Sequence, residues 1–394
     1  MNHLIAARVA DITPPAVTQT QQKARRLEAR GIKLTYLMRG EPDFDTPAHI
    51  CQAAVAALQR GETHYPPVQG LPALRQAVAG RMARDFDLAI DPEGEALITT
   101  GATMGLYAAV QAVVNPGDEV IVFDPVYDPY PAVVRMAGGT PVRVPAQAEN
   151  GHFAVSQAAL EAALSRRSKA IILNTPWNPT GAVMTRDELV ALADLAEARN
   201  LILIVDEIYE AITFDGRRHY HLAALSPQAR VRTITVNSFS KTYAMTGWRL
   251  GYNIASPALT GAMLAIAQQF SRSAATFIQH AGVAALTGPQ EAVAQMRETY
   301  AQRRKFISHS LQQIGLTTFT PPEGTFFALV DIRPFGLDAQ RMADYLLEEA
   351  RLVTIPGSAY GPAGEGYIRL SFAYHEDVLS QGMEALGEAL RRLG

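Results

Sequence analysis

Lys241 stands among hydroxyl-bearing and small residues in the stretch Ser238–Arg249, which makes it the first candidate for chemistry. Runs rich in apolar residues at 231–236 and 250–254 predict two strands, with the lysine on a short loop between them. A lysine amine in a desolvated, cation-rich pocket can lose its proton and form a Schiff base with a carbonyl. The neighbouring serines and Arg249 would suit a phosphate. A solvated loop lysine is the ordinary alternative.

A carboxylate at the end of an aliphatic run is the second candidate. Asp206 directly follows 201–205, a continuous apolar run typical of a strand buried on both faces. A carboxylate there is costly to bury unless it meets a cation or a strong hydrogen-bond donor. A helix cap, a structural ion pair and contact with a protonated ring nitrogen all satisfy that need.

Other predicted strands also end in residues with useful chemistry. Gly101–Thr103 begins an apolar helix, whose N-terminal N–H groups and dipole favour an anion. Tyr127 follows a strand in a Pro/Tyr-rich loop, and Asn178 stands in an Asn-Pro-Thr-Gly turn. Taken singly, Gly101–Thr103 also fits a simple helix cap, Tyr127 fits side-chain packing, and Asn178 fits a turn. Arg369 lies among apolar neighbours in a strand, where it suits either a structural salt bridge or a substrate carboxylate.

These residues depend on elements that alternate between strand and helix from about residue 96 to residue 256. Such alternation predicts an α/β fold with a mostly parallel central sheet and helices on both faces. Ligands of these sheets bind beyond the carboxyl ends of the strands, so the loops above are expected to share one crevice. After residue 256 strands become sparse, which predicts a second, smaller α+β domain. The chain of 394 residues also exceeds the roughly 250–300 residues at which single cores stop growing.

Composition and charge exclude several classes of function. The net charge is −3 and no basic block occurs, so neither nucleic acid nor an anionic membrane is expected as a partner. Cys51 is the only cysteine, which excludes an internal disulfide and a cysteine metal cluster. No apolar run reaches the roughly 18 residues of a membrane span, and residues 1–15 lack the apolar core of a signal peptide. We therefore expect a soluble cytoplasmic protein.

Motifs of several other enzyme classes are missing from the sequence. It contains no G-x-G-x-x-G, no G-x-x-x-x-G-K-[ST], no G-x-S-x-G and no H-E-x-x-H. His219 and His221 flank Tyr220 in what we predict to be a polar loop. We interpret both histidines as loop residues rather than metal ligands, and no metal site is expected.

Together the motifs resemble those of the class I/II aminotransferases, enzymes of pyridoxal 5'-phosphate (PLP) fold type I. The resemblance covers nearly the whole chain, from the Gly40 motif to Arg369. It rests on motifs in family order and at family-like spacing: Gly40-Glu41-Pro42-Asp43-Phe44, Asn178-Pro179-Thr180-Gly181, Asp206-Glu207-Ile208-Tyr209, Ser238-Phe239-Ser240-Lys241, Gly247-Trp248-Arg249 and Tyr367-Ile368-Arg369-Leu370-Ser371.

The resemblance implies how the chain is organised. It implies a large PLP-binding α/β domain at 47–289 and a small α+β domain made of 14–46 and 290–394, with an N-terminal arm at 1–13. It also implies a homodimer with active sites at the subunit interface. Tyr65 is similar to the tyrosine that reaches the cofactor phosphate of the partner subunit.

The resemblance further implies a role for each matching residue around the cofactor ring. Lys241 forms the Schiff base with PLP and later moves the proton, and Asp206 pairs with the pyridinium nitrogen, which keeps the ring an electron sink. Tyr209 and Asn178 hydrogen-bond the phenolic oxygen, and Tyr127 stacks on the ring. Lys241, Asp206 and Tyr209 are thus the expected catalytic residues.

Phosphate and substrate have their own expected partners. The phosphate is expected to bind at a helix N-terminus, two serines and an arginine: Gly101, Ala102, Thr103, Ser238, Ser240 and Arg249. The α-carboxylate of the substrate is expected to bind Arg369, helped by Asn178 and the backbone of Gly40.

The implied reaction moves an amino group from an L-amino acid to a 2-oxo acid by a ping-pong mechanism with aldimine and ketimine intermediates. Thr13 and Thr103 stand where dicarboxylate-specific relatives have lysines, and the stretch 101–130 is similar to the kynurenine/methionine/aromatic branch. These positions favour neutral, aromatic or large apolar substrates. Arg272 or Arg39 could still supply a distal cation, so an aspartate or dicarboxylate aminotransferase stays open.

Two other functions share parts of this pattern. A PLP-dependent C–S β-lyase on the same fold would share Lys241, Asp206 and Arg369, because a fold does not determine a reaction. A non-enzymatic regulator that retains the cofactor domain would need a DNA-binding segment, and the chain has no basic patch for one.

Overall fold

The structure is a computed structural model that describes residues 16–149, 152–316 and 321–393, together with Leu4 and Val9. The predicted arm at 1–13 therefore lies outside the described residues except at those two positions, and Thr13 lies outside them. None of the helices among the described residues is long and apolar enough to cross a membrane.

Helices occupy most of the chain between the strands. Their bounds are α1 (Ala16–Glu28), α2 (Ala48–Gln59), α3 (Pro72–Phe86), α4 (Ala102–Val113), α5 (Pro129–Met136), α6 (Gln157–Ala163), α7 (Arg186–Ala198), α8 (Pro227–Arg232), α9 (Phe239–Thr242), α10 (Pro257–Phe270), α11 (Thr276–Thr287), α12 (Glu291–Gln313), α13 (Ala339–Glu349) and α14 (Glu376–Leu393).

A seven-stranded sheet forms the centre of the molecule, with the order β2-β10-β9-β8-β7-β3-β4. Neighbours are parallel except around β10, which is antiparallel to both β2 and β9. The mostly parallel α/β sheet predicted from the alternating pattern is confirmed. Its strands are β2 (Ala96–Thr99), β3 (Glu119–Asp124), β4 (Thr140–Pro145), β7 (Ser168–Asn174), β8 (Ile202–Asp206), β9 (Thr233–Ser238) and β10 (Gly251–Ile254).

Helices cover both faces of this sheet. Along β3, Val120 and Val122 pack on one face with residues of α4, α5 and α10. Ile121 and Phe123 pack on the other face with residues of α6 and α7. This alternation follows from the two-residue period of a strand, and it explains why central strands consist of continuous apolar runs.

Smaller sheets lie in the rest of the chain. The order β11-β14-β13 is antiparallel, β1 pairs with β12 in parallel, and β5 and β6 form a hairpin that the sequence analysis did not predict. The strands are β1 (Thr35–Tyr36), β5 (Gln147–Glu149), β6 (His152–Ala154), β11 (Phe327–Asp331), β12 (Leu352–Val353), β13 (Ile355–Pro356) and β14 (Tyr367–Ser371). The β1–β12 pair joins segments near the two ends of the chain, so Gly40 is brought next to the C-terminal region.

Two local predictions are corrected by tertiary contacts. The pair Thr46-Pro47 predicts a helix with Thr46 as its N-cap and Pro47 at its first position. Instead the Thr46 hydroxyl donates to the Ala244 carbonyl at 2.7 Å, and Pro47 takes the capping position of α2. Lys241 lies on the one-turn helix α9 rather than on an open loop. The Ser238 hydroxyl caps that turn by accepting from the Ser240 N–H at 3.2 Å.

The segment around His219 is a loop, as predicted, but both histidines of this loop are buried. The exposed fractions of His219 and His221 are only 5% and 2%, although the segment has no regular strand or long helix. Both side chains turn inward toward Glu207 and Glu210. The polarity of the surrounding sequence therefore did not indicate the position of these side chains.

Candidate active site

A cavity of about 750 Å³ opens at the carboxyl ends of β8 and β9 and the N-terminus of α4. Its position is the one expected for a ligand site in an open parallel sheet, and its volume is within the usual range for small-molecule pockets. The predicted site residues that line it are Gly40, Ala102, Thr103, Tyr127, Asp206, Ser238, Ser240, Lys241 and Arg249.

The Lys241 amine is held inside this cavity. It donates a hydrogen bond to the Gly40 carbonyl, and it lies 6.0 Å from the ring centre of Tyr209 and 5.8 Å from that of Phe326. Burial lowers the pKa of Lys241 to about 8, against the opposing effect of Glu41. Roughly a tenth of the amine is therefore uncharged at pH 7, and this is the state that acts as nucleophile or base.

Asp206 is buried in the same cavity without a cation in contact. Its Oδ2 accepts from the Tyr130 hydroxyl at 2.7 Å, and its Oδ1 accepts from the Ile208 N–H at 3.2 Å. No ion pair among the described residues includes Asp206, whose exposed fraction is 4%. Burial raises the pKa of Asp206 to about 6, although both hydrogen bonds act in the opposite direction.

Tyr130 is a site residue that the sequence analysis missed. Its ring lies edge-on to that of Tyr127, with 5.5 Å between ring centres, and its hydroxyl holds Asp206. Burial raises the pKa of Tyr130 well above its usual value, so the phenol stays a donor. Pro129 lies between the two tyrosines and starts α5. Both tyrosines are therefore close to the start of one helix, and this spacing could have indicated that both belong to the site.

An anion-binding end of the cavity forms around the start of α4. Gly101 adopts a positive φ of 79°, and a Cβ atom added there would lie 2.6 Å from Nη2 of Arg249. The Arg249 guanidinium thus lies directly against the helix N-terminus. Ser238 and Ser240 line the cavity nearby, so N–H groups, hydroxyls and a guanidinium converge as an anion requires.

Arg369 provides a second cation beside the cavity, and Asn178 is in contact with it. Arg369 donates to the Asn178 side-chain oxygen and to the Met38 carbonyl, both at 3.1 Å. Its guanidinium lies over the rings of Phe327 and Tyr360, at 4.0 and 5.1 Å from their centres. The Arg369 Nε is buried and has no hydrogen-bond partner in the part of the chain that the structure describes, so this arginine retains an unused donor.

Asn174 is the second residue that the sequence analysis missed. It ends β7, donates from its amide to the Asp206 carbonyl at 2.8 Å, and accepts from the Asn178 N–H at 2.8 Å. One side chain therefore joins the two loops that carry Asp206 and Asn178. Its position at a strand end was visible in the sequence, but its partners depend on the parallel pairing of β7 with β8.

Besides Gly101, Asn178 and Arg369, two more predicted site residues are not part of the cavity lining, namely Tyr209 and Tyr65. Tyr209 is buried behind Lys241, and burial raises its pKa well above the usual value. Tyr65 is 85% exposed and lies under Arg272, with 5.9 Å between the guanidinium carbon and the ring centre. Tyr65 does not contribute to the cavity of its own chain.

The mouth of the cavity carries a further cation. Arg39 lines it and stacks on Tyr374 at 4.9 Å from the ring centre. The Arg39 N–H donates to the Tyr374 hydroxyl at 2.9 Å. Apolar and amide side chains complete this part of the wall: Val17, Leu34, Tyr36, Val378, Gln21 and Gln381.

Comparison with known proteins agrees with this geometry. Residues 32–386 match the family model described as aminotransferase class I and II. An aspartate aminotransferase of Geobacillus stearothermophilus is 38% identical over 387 residues, covering 97% of this chain and 98% of that protein. An aromatic-amino-acid aminotransferase 2 of Thermococcus litoralis is 38% identical over 366 residues, covering 92% and 93%.

Solved structures give the same result for the fold. The aspartate aminotransferase of Thermus thermophilus with maleate has a TM-score of 0.92 and 38% sequence identity, and the match covers 98% of this chain and 99% of that one. The fold is therefore that of PLP fold type I. The chain belongs to the class I and II aminotransferases and is a PLP-dependent aminotransferase.

Proposed function

We propose that this aminotransferase accepts L-amino acids with neutral, aromatic or large apolar side chains, and that the cavity around Lys241 is its active site. The observation that carries the site assignment is the pairing of Lys241 with Asp206. A buried amine with a lowered pKa and a buried carboxylate without a cation line the same cavity.

Three features of the cavity fit PLP. The Lys241 amine suits the aldehyde, and the cation-free Asp206 suits a protonated ring nitrogen. The start of α4 with Arg249 suits the phosphate, because N–H groups and a guanidinium meet there. We assign Tyr127 to the ring face, and Tyr209 and Asn178 to the phenolic oxygen.

Bound PLP supplies an electron sink that stabilises negative charge on the substrate α-carbon. Lys241 provides the base, since its pKa of about 8 leaves part of the amine uncharged near neutral pH. After giving up a proton to solvent it can take the substrate α-proton and return it. Tyr130 and Asn174 hold the Asp206 side chain and backbone, so the carboxylate keeps one orientation.

Arg369 orients the substrate through its α-carboxylate. Its planar guanidinium can form a two-pronged contact with a carboxylate, and its Nε has no hydrogen-bond partner among the described residues. The stacked rings of Phe327 and Tyr360 and the Asn178 oxygen limit its movement. The backbone of Gly40 lies at the same end of the cavity.

The domain boundaries and the dimer belong to this proposal too. A homodimer would give the exposed Tyr65 a partner, namely the cofactor phosphate of the other subunit. Mixed dimers test this assignment. A dimer of one Lys241→Ala chain and one Tyr65→Phe chain should keep one active site in which both residues are wild type. A dimer of one wild-type chain and one chain that carries both substitutions should have no such site.

The site assignment is tested by Lys241→Ala. This variant should lose turnover and the visible absorbance of covalently bound cofactor, whereas Lys305→Ala, on the exposed surface of α12, should retain both. Retention of both properties in Lys241→Ala would contradict the assignment.

The substrate class is tested by following the absorbance change of the holoenzyme with each amino acid in turn. Preference for aspartate by orders of magnitude would overturn it.

Arg39 favours a second candidate, an aminotransferase of dicarboxylic amino acids. Arg39 lines the cavity, and no ion pair of the described residues includes it, so a distal carboxylate could bind there. Arg39→Gln separates the two candidates. For a dicarboxylate enzyme kcat/KM with aspartate should fall roughly 10–100-fold, because a charge-assisted contact is lost, while kcat/KM with phenylalanine should change little.

A further inference from the structure

Four buried side chains converge on the opposite side of the segment that carries Asp206. Glu207 and Glu210 face each other across a turn closed by the Glu210 N–H and the Glu207 carbonyl at 3.0 Å. His219 and His221 approach them from a later segment, with Tyr220 pointing away between them. One potential ligand atom from each of the four residues lies within 4.8 Å of the others.

The contacts in this cluster are short but have poor hydrogen-bond directions. His219 Nε2 lies 3.5 Å from a Glu207 oxygen, His221 Nε2 lies 2.9 Å from a Glu210 oxygen, and His221 Nδ1 contacts Glu207. Even so, the ring nitrogens and the carboxylate oxygens of the four residues make no well-directed hydrogen bond to one another. Their exposed fractions are 5% or less, so the cluster is removed from bulk solvent.

The charges of the cluster also call for a cation. Arg81 lies 2.6 Å from the second Glu210 oxygen and offsets one of the two carboxylates. With neutral imidazoles the group keeps one uncompensated negative charge in the protein interior, which is strongly unfavourable. A bound divalent cation or a proton on a histidine would remove that charge.

We propose that Glu207, Glu210, His219 and His221 form a binding site for a divalent transition-metal ion of the zinc type. Two imidazoles and two carboxylates are ligands that zinc accepts, at bonds of roughly 2.0–2.2 Å. Ligand atoms of one such ion lie at most about 4 Å apart, so a small inward movement from the 4.8 Å span completes the site. Arg81 then orients a ligating carboxylate from behind, as outer partners of metal ligands do.

The ion has a route to this site. A separate cavity of about 510 Å³ is lined by Glu210 and His219, together with Asp85 and Glu298. Phe86 covers the inner histidine, with 4.0 Å between its ring centre and that of His221. The ion would tie the turn that carries Asp206 and Tyr209 to the segment at 219–221, so its role is to stabilise the fold next to the active site.

Metal content of the holoenzyme tests the proposal. PLP-loaded protein is treated with a chelator, dialysed against Zn²⁺ as zinc sulfate, passed through gel filtration and analysed for zinc by mass spectrometry. We expect one equivalent of zinc per chain and a higher Tm than for the chelator-treated holoenzyme. His221→Ser should lose that equivalent, with an affinity loss beyond the roughly 10–100-fold typical of outer-partner variants.

His152→Gln provides the matched control. His152 also lies between two carboxylates, Glu188 at 3.2 Å and Glu323 at 3.0 Å, but outside the cluster. It should keep the zinc equivalent and the zinc-dependent rise in Tm. Should His221→Ser fail to fold, visible d–d bands of Co²⁺ bound to wild-type holoenzyme report the same site, and their displacement by Zn²⁺ is expected.

Two results would overturn the proposal. Wild-type holoenzyme that retains far less than one equivalent of zinc would mean that a proton on a histidine balances the cluster. Equal loss of zinc in His152→Gln and His221→Ser, or zinc retained fully by His221→Ser, would place the ion elsewhere in the protein.

Discussion

The turn at 206–210 presents carboxylates to two different surroundings. Asp206 lies on the cavity side, where its contacts are a phenol and a backbone N–H. Glu207 and Glu210 lie on the interior side, where histidines and Arg81 surround them. All three are almost completely buried.

This difference indicates where a ligand must complete the structure. A buried carboxylate without a protein cation is unstable unless a cation comes from outside, and we propose that PLP brings one to Asp206. The interior carboxylates have Arg81 beside them, are proposed to bind a metal ion as well, and lie away from the cavity of Lys241. Neighbouring carboxylates in one short segment thus serve substrate chemistry on one side and stability on the other.

Among substitutions on the cavity side of the turn at 206–210, Asp206→Asn should have the largest effect. Because an amide cannot supply the charge that holds the cofactor ring protonated, kcat/KM should fall about 10³-fold, or about 4 kcal/mol. Steady-state kinetics at saturating PLP measure this effect. A loss of less than tenfold would mean that Asp206 does not face the ring nitrogen.

A substitution on the interior side of the turn should lower the stability of the protein instead. Glu210→Gln removes the charge opposite Arg81, so the free energy of unfolding should fall by about 3 kcal/mol. Urea denaturation of the holoenzyme measures the change. Turnover of the folded variant should change far less than in Asp206→Asn, and an equal loss of turnover would contradict the separation of the two sides.

The pH dependence of apoenzyme stability tests the raised pKa of Asp206. Its pKa is about 6 when folded and about 3.9 when unfolded, so the folded state binds the proton more tightly. Stability should therefore fall as pH rises from about 4 to about 6, by somewhat under 3 kcal/mol, and stay level above that range. Urea denaturation of Asp206→Asn apoenzyme should lack this component, and identical profiles for both proteins would contradict the raised pKa.

Tyr130→Phe should give the smallest effect on the cavity side. The variant removes the 2.7 Å hydrogen bond to Asp206 and leaves the aromatic packing, so the Asp206 pKa should rise further. A loss of roughly 1.5 kcal/mol, or about tenfold in kcat/KM, is expected. Kinetics over pH 5–8 check this, with the deficit predicted to be greatest at low pH.

Much of the fold was predictable because its signals are local. The apolar runs of β3, β7 and β8 and the amphipathic pattern of α7 reflect burial that repeats with the period of each element. The hairpin of β5 and β6 was missed because its strands are short, with Gln147 and Ala148 exposed and His152–Ala154 half-buried. Thr46 was assigned as a cap because capping preferences are local, whereas its actual partner, Ala244, is distant in sequence.

The sequence by itself determined which chemical groups end the central strands, and hence the family and the cofactor, and it predicts a reaction centred on Lys241. Tertiary structure alone decided which side chains support those groups. Tyr130 and Asn174 reach Asp206 only because parallel strands bring their ends together, and His219 and His221 become buried only because they turn toward Glu207 and Glu210. Contacts between residues far apart in the chain leave no period or spacing in the sequence, which is why they required the structure.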